Sequence, residues 1–145
     1  MRTAVLIVAL TVSAHAQARY DAALAKKLQA DDYGMRTYVI ALLKTGPNRD
    51  RSRADAERLQ AEHMANINRL AREGKLVVAG PFTDDGALRG IYVFDVRTVA
   101  EAEALTKTDP AIQAGSLVME LHPWYGSAAL MMANEIHAKI ERKQP

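Results

Sequence analysis

The chain contains no cysteine at all. That excludes disulfide scaffolding, thiol nucleophiles and thiolate zinc sites. Stability must come from burial instead, and 49% apolar residues across 145 positions suffice for one core. Neither charge sign is in large excess, with 19 Lys and Arg against 17 Asp and Glu. A nucleic-acid partner, which needs a concentrated basic surface, is therefore not expected. No apolar run approaches the roughly 20 residues that span a bilayer. Glycine-rich phosphate loops, nucleophile elbows, dinucleotide fingerprints and a His-Glu-x-x-His pair are also missing. The expectation is a protein that works with no cofactor and no metal.

The start of the chain reads as an export signal. Met1-Arg2-Thr3 is a short positive opening, and Ala4 to Val12 is apolar apart from Thr11. Ser13-Ala14-His15-Ala16 then places small residues three and one before a cut after Ala16, and a cut after Ala18 fits the same small-x-small rule. A periplasmic or secreted location follows, with no membrane attachment once residues 1–16 are removed. Losing Arg2 takes one from the 19 basic residues and leaves a net charge of +1. His15 leaves with the signal and drops out of any site.

Further along, Arg19 to Tyr33 suggests a short helix rich in good helix formers. It ends at the turn-prone Asp31-Asp32-Tyr33-Gly34. Thr37 to Leu43 is predicted as a strand. Ser52 to Glu73 is helical, with Leu59, His63, Ile67 and Leu70 on one face and Gly74 as its stop. Lys75 to Ala79 and Gly90 to Val96 are the next two strands, joined through a Thr83-Asp84-Asp85-Gly86 turn. Tyr92, Phe94 and Val96 share a face.

Thr98 and Glu101 form a capping box for a helix reaching about Lys107, which Asp109-Pro110 stops. Leu117 to His122 alternates as a fourth strand closed by Pro123, and a last helix runs from Ala128 to about Arg142. The order β-α-β-β-α-β is the ferredoxin-like split unit of the α+β class. With two helices on one sheet face, the other face needs cover. Its strands are fairly apolar on both sides, so a second subunit or the terminal helices should lie there.

These residues resemble the YciI-like (YCII-related) family. The likeness rests on His63 in the first core helix, the run Gly74-Lys75-Leu76-Val77-Val78-Ala79-Gly80-Pro81, the glycine turn at Gly86, Asp109-Pro110, and Pro123-Trp124. It divides the chain into a signal (1–16), an N-terminal helical extension (17–35), a YCII-related ferredoxin-like domain (36–125) and a C-terminal helix (126–145). The resemblance implies a dimeric α+β barrel and a homodimer. It also implies an active site centred on a histidine and an aspartate, matching His63 and Asp109. Some members act as dehydrochlorinases or lactone-processing enzymes, so the class of reaction implied is isomerase or lyase chemistry on a small organic molecule.

The residues support such a pair on their own terms. An imidazole titrates near neutrality and can take and return a proton. A carboxylate on one ring nitrogen fixes the tautomer and favours the protonated form, leaving the other nitrogen to act on substrate. In a split βαβ unit the first helix and the end of the second lie on the same side of the sheet, so His63 and Asp109 can approach. The alternative is a core histidine satisfied by a carbonyl, with Asp109 capping a turn. Such a protein would be a small-molecule-binding or interaction module without chemistry.

Other candidates carry less. His122 faces away from Leu117, Met119 and Leu121 and reads as a sheet-surface or interface residue, with pocket lining as the alternative. His137 reads as solvated. Arg49, Arg51, Arg53 and Arg58 alternate with Asp50, Asp55 and Glu57 as in a solvated helix start. Trp124 and Tyr125 read as packing or interface residues.

Overall fold

The computed structural model describes residues 19–143; the signal boundary at Ala16 and His15 lie outside the described residues. The first element, α1 (Ala22–Lys27), is capped by Asp21, whose carboxylate accepts from the Leu24 N–H. It ends well before Tyr33, because Gln29 adopts a left-handed conformation at φ 53°. Asp31 then gathers the Tyr33 and Met35 N–H groups into a turn. Local side-chain bonding of this kind competes with helix.

Strand β1 (Met35–Thr45) leads through a loop to the 20-residue helix α2 (Arg53–Arg72), whose N-cap Ser52 accepts from the Asp55 N–H. Strands β2 (Leu76–Pro81) and β3 (Leu88–Phe94) form a hairpin. The expected capping box is present at α3 (Val99–Thr106), where Thr98 and Glu101 bond reciprocally. Then come α4 (Pro110–Gln113) and β4 (Leu117–Ser127). The sheet order is β2-β3-β1-β4 with every neighbouring pair antiparallel. This is the ferredoxin-like arrangement that the order of elements implied.

Two local expectations fail and a third is incomplete. Helix α3 does end before Asp109-Pro110, but the same pair also starts an element: Asp109 is the N-cap of α4 and Pro110 its first residue, where a missing N–H costs nothing. Pro123 does not close β4, which stays paired with β1 as far as Ser127. The strand tolerates proline because β4 is an edge and needs donors on one side only. The last helix is split into a 3-10 turn (Ala128–Met132) and α5 (Ala133–Ile140).

Alternation assigns the two sheet faces. Val39, Ala41 and Leu43 of β1 and Tyr92 and Phe94 of β3 point toward the helices and pack with Leu70, Leu76 and Ala102. On the far face Tyr38, Val77 and Val93 are buried with Leu130 and Met131 against them. The chain's own C-terminal segment therefore covers the β2-β3-β1 part of that face. Along β4 it stays open, exposing Val118 and Trp124. Here Glu120 sits between Lys44 and His122, bonded to both. Hydrogen bonds from Lys44, the larger contribution, and from His122 hold the Glu120 carboxyl below its usual range.

The loop after β1 is stapled to the segment after α4. Gly46 N–H donates to Ser116 O at 2.8 Å and Asn48 N–H to Gly115 O at 2.9 Å. A Cβ on Gly46 would run into the Gly115 carbonyl, so only glycine lets these backbones approach so closely. This junction fixes where α4, and with it Asp109, meets the sheet.

Candidate functional site

The middle of α2 turns His63, Asn66 and Leu70 inward. Leu70 joins the main core, and His63 lies one polar layer above it, with its side chain 10% exposed. Opposite stands the N-cap of α4. The Asp109 backbone is extended, at φ −83° and ψ 119°, as an N-cap requires. That conformation turns its carboxylate back over the start of α4, where Oδ1 accepts the Ala111 N–H at 2.9 Å. His63 Nδ1 lies 2.9 Å from both Oδ1 and Oδ2. The Asp109 side chain is 1% exposed. The structure thus places the two sequence candidates, 46 residues apart, in direct hydrogen-bond contact.

A carboxylate only accepts, so the Nδ1 that meets it carries the proton, and Nε2 is free to accept or release one. That second nitrogen faces Tyr92, whose hydroxyl lies 3.4 Å away. The two rings are nearly parallel, with centroids 6.4 Å apart. Burial pushes the Tyr92 hydroxyl far above the usual tyrosine range, and the charge and hydrogen-bonding of nearby Asp109 push it the same way. It is protonated at any working pH. Tyr92 did not emerge from the sequence as a site residue. The available signal was a phenol on a core-facing strand position, which must find a polar partner when buried.

Around the pair a second polar layer holds the α3–α4 turn. Arg69 donates to both Asn66 Oδ1 and Thr108 Oγ1, at 2.8 and 2.9 Å, tying α2 to the residue before Asp109. Thr108 Oγ1 is 3.1 Å from Asn66 Oδ1 and donates to the Leu105 carbonyl at 2.7 Å. Asp109 N–H closes the turn onto Thr106 O.

The other candidates stay apart from this cluster. His122 lies on the opposite sheet face, 2.8 Å from Glu120, and cannot line the same pocket. His137, on exposed α5, pairs with Glu141 at 3.2 Å. Among the described residues no three His, Asp or Glu side chains converge as metal ligands would. Arg49, Arg51 and Arg58, but not Arg53, border an open groove of about 720 Å³ that also reaches Leu59 and Glu62, the residue before His63. Arg58 there is paired with Asp55, and Arg51 donates to the Asn48 and Ala114 carbonyls.

Comparison with known proteins follows the same lines. A family model described as YCII-related domain matches residues 37–125. The uncharacterized protein YjpA of Bacillus subtilis (strain 168) is 29% identical over 94 residues, covering 62% of this chain and 95% of that protein. Among solved structures, 5-chloro-2-hydroxyhydroquinone dehydrochlorinase (TftG) from Burkholderia phenoliruptrix AC1100, in complex with 2,5-dihydroxybenzoquinone, gives a TM-score of 0.46 at 20% identity. That likeness covers 61% of this chain and 93% of the other.

Proposed function

The chain belongs to the YCII-related domain family, and on that premise we propose that it performs acid/base chemistry on a small organic molecule, with His63 moving the proton and Asp109 orienting the ring. One observation carries this reading: a nearly buried imidazole whose Nδ1 sits 2.9 Å from both oxygens of a buried carboxylate. Such a partner fixes the tautomer and steadies the imidazolium formed when Nε2 takes a proton. The reaction class proposed is isomerisation, elimination or lactone turnover without a cofactor.

A turnover screen of the full chain with enolisable acids, halogenated phenols and small lactones tests it. Against any substrate found, His63→Ala should lose about 10²–10⁴-fold in rate, the usual worth of a positioned acid or base. Full activity in that variant would remove His63 from the mechanism. If no substrate turns over but a ligand stabilises parent and His63→Gln alike, the protein is a binding module.

Two further features belong to the same proposal. The chain is exported and cut after Ala16, so the protein recovered from its host should have an intact mass that starts at Gln17. A second copy covers the β4 half of the far face, where Val118 and Trp124 are exposed. Light scattering should then report a dimer that Val118→Glu converts to monomer; a monomeric parent would sink this assignment.

A further inference from the structure

Acid/base work on a substrate needs Nε2 of His63, and in this structure that nitrogen is already met from inside the protein. Tyr92 arrives from β3, the strand paired with β2 under α2, and is 2% exposed. Its ring is nearly parallel to the imidazole, 20° from it, and its hydroxyl is 3.4 Å from Nε2. Phe94, two residues on and on the same face, holds Tyr92 from the side in an edge-to-face contact with centroids 5.7 Å apart. The phenol therefore has little freedom to turn away.

In the neutral ring Nδ1–H donates to Asp109 and Nε2 carries the lone pair. The Tyr92 hydroxyl proton then has two acceptors beside it, Nε2 at 3.4 Å and the Asp109 carboxylate. We propose that Tyr92 is the positioning residue of the His63–Asp109 pair: its hydroxyl donates to Nε2, keeps that nitrogen an acceptor, and yields its place when a substrate proton arrives. The proposal rests on the acid/base reading above and names the group that a substrate must displace. In that step the substrate X–H bond breaks, its electron pair stays on the substrate, and an Nε2–H bond forms. The Nδ1 proton stays on the ring, bonded to Asp109, and the Tyr92 hydroxyl proton rotates from Nε2 toward the Asp109 carboxylate while the phenol ring keeps its place. No oxidant or further reactant is required.

The surroundings leave Tyr92 and Asp109 as the groups that act on the ring. β2 and α4, both packed on α2, carry no titratable side chain within Leu76–Pro81 or Pro110–Gln113. The charges flanking His63 along α2 are Glu62, Arg58 and Arg69, and Arg58 is paired with Asp55. Glu62 is exposed, and Arg69 is engaged with Glu73, Asn66 and Thr108. On β3 the remaining ionisable residue, Arg89, is exposed.

The test is nitrogen NMR of the full chain labelled with 15N-histidine, the His63 signals being assigned by their loss in His63→Gln. In the parent, Nε2 should resonate as a lone-pair nitrogen displaced by a hydrogen bond, and Nδ1 as a protonated one. Tyr92→Phe, which keeps the ring and its packing, should move Nε2 to the position of a free lone pair while Nδ1 stays put. An Nε2 signal that does not move in Tyr92→Phe overturns the proposal. Should that variant not fold, the parent decides alone: a protected tyrosine hydroxyl proton must show cross-relaxation to the His63 ring, and its absence is equally fatal. Asp109→Asn separates the two readings. If Nδ1 is unchanged there, the His63–Asp109 pair itself fails; if Nδ1 responds and Nε2 ignores Tyr92→Phe, only the role of Tyr92 fails.

Discussion

An Asp109→Ala protein should unfold with about 2–4 kcal/mol less free energy than its parent. The carboxylate is 1% exposed and serves two donors: its Oδ1 takes the Ala111 N–H, and both oxygens face His63 Nδ1. Losing an N-cap costs about 1 kcal/mol. Leaving a buried ring N–H without an acceptor costs roughly 1–3 kcal/mol more, and water has little room to replace the lost oxygens. Asp109→Asn is the informative contrast. Its side-chain carbonyl can still cap α4 or accept from Nδ1, so about half of the loss should return. Urea unfolding of the single variants and of Asp109→Ala combined with His63→Ala closes a double-mutant cycle. A coupling of about 1–3 kcal/mol is expected for residues in contact. A coupling near zero would reduce the pair to two independent core residues.

The same pair shows where reading the sequence stops. The 3.6-residue spacing puts His63 on the buried stripe of α2 because burial of Leu70 dictates that face. Topology then brings the end of the second helix to the same side of the sheet. What spacing could not supply was the direction of the Asp109 side chain. That depends on α4 existing as a separate turn, and a four-residue helix has too little periodic pattern to be seen. Tyr92 was legible as a core position, yet its partner was not, since the contact with His63 joins a strand to a helix through backbone geometry. Pro123 misled for a related reason: proline forbids a central strand, and only the sheet order reveals β4 as an edge. The C-terminal segment was legible as helical and apolar. Which part of the far face Leu130 and Met131 would cover was not, because the apolar strand faces call for a cover without distinguishing a second subunit from the terminal helices.

The core beneath the site should be more sensitive than any surface position. Phe94→Ala is expected to cost about 3–5 kcal/mol, the usual range for removing a fully buried ring. Phe94 is completely buried; it faces Val39 across one ladder and Leu76 across the other, and meets the Tyr92 ring edge-on. The aromatic contact accounts for about 0.5–1.5 kcal/mol of that loss, and the cavity and lost transfer energy for the rest. A domain of this size has only about 5–15 kcal/mol in total, so a large share of its stability passes through this residue. Phe82, 40% exposed beyond the end of β2, provides the control, with a loss below about 1 kcal/mol on truncation. Phe94→Leu should fall between, because it fills much of the space without supporting the Tyr92 ring. That intermediate variant links stability to the site. A protein that stays folded but lets Tyr92 tilt should weaken the hydroxyl contact to His63 Nε2 while leaving the Asp109 contact intact. Urea midpoints rank the three variants, and equal losses for Phe82→Ala and Phe94→Ala would mean that the support of the site lies elsewhere than in this strand.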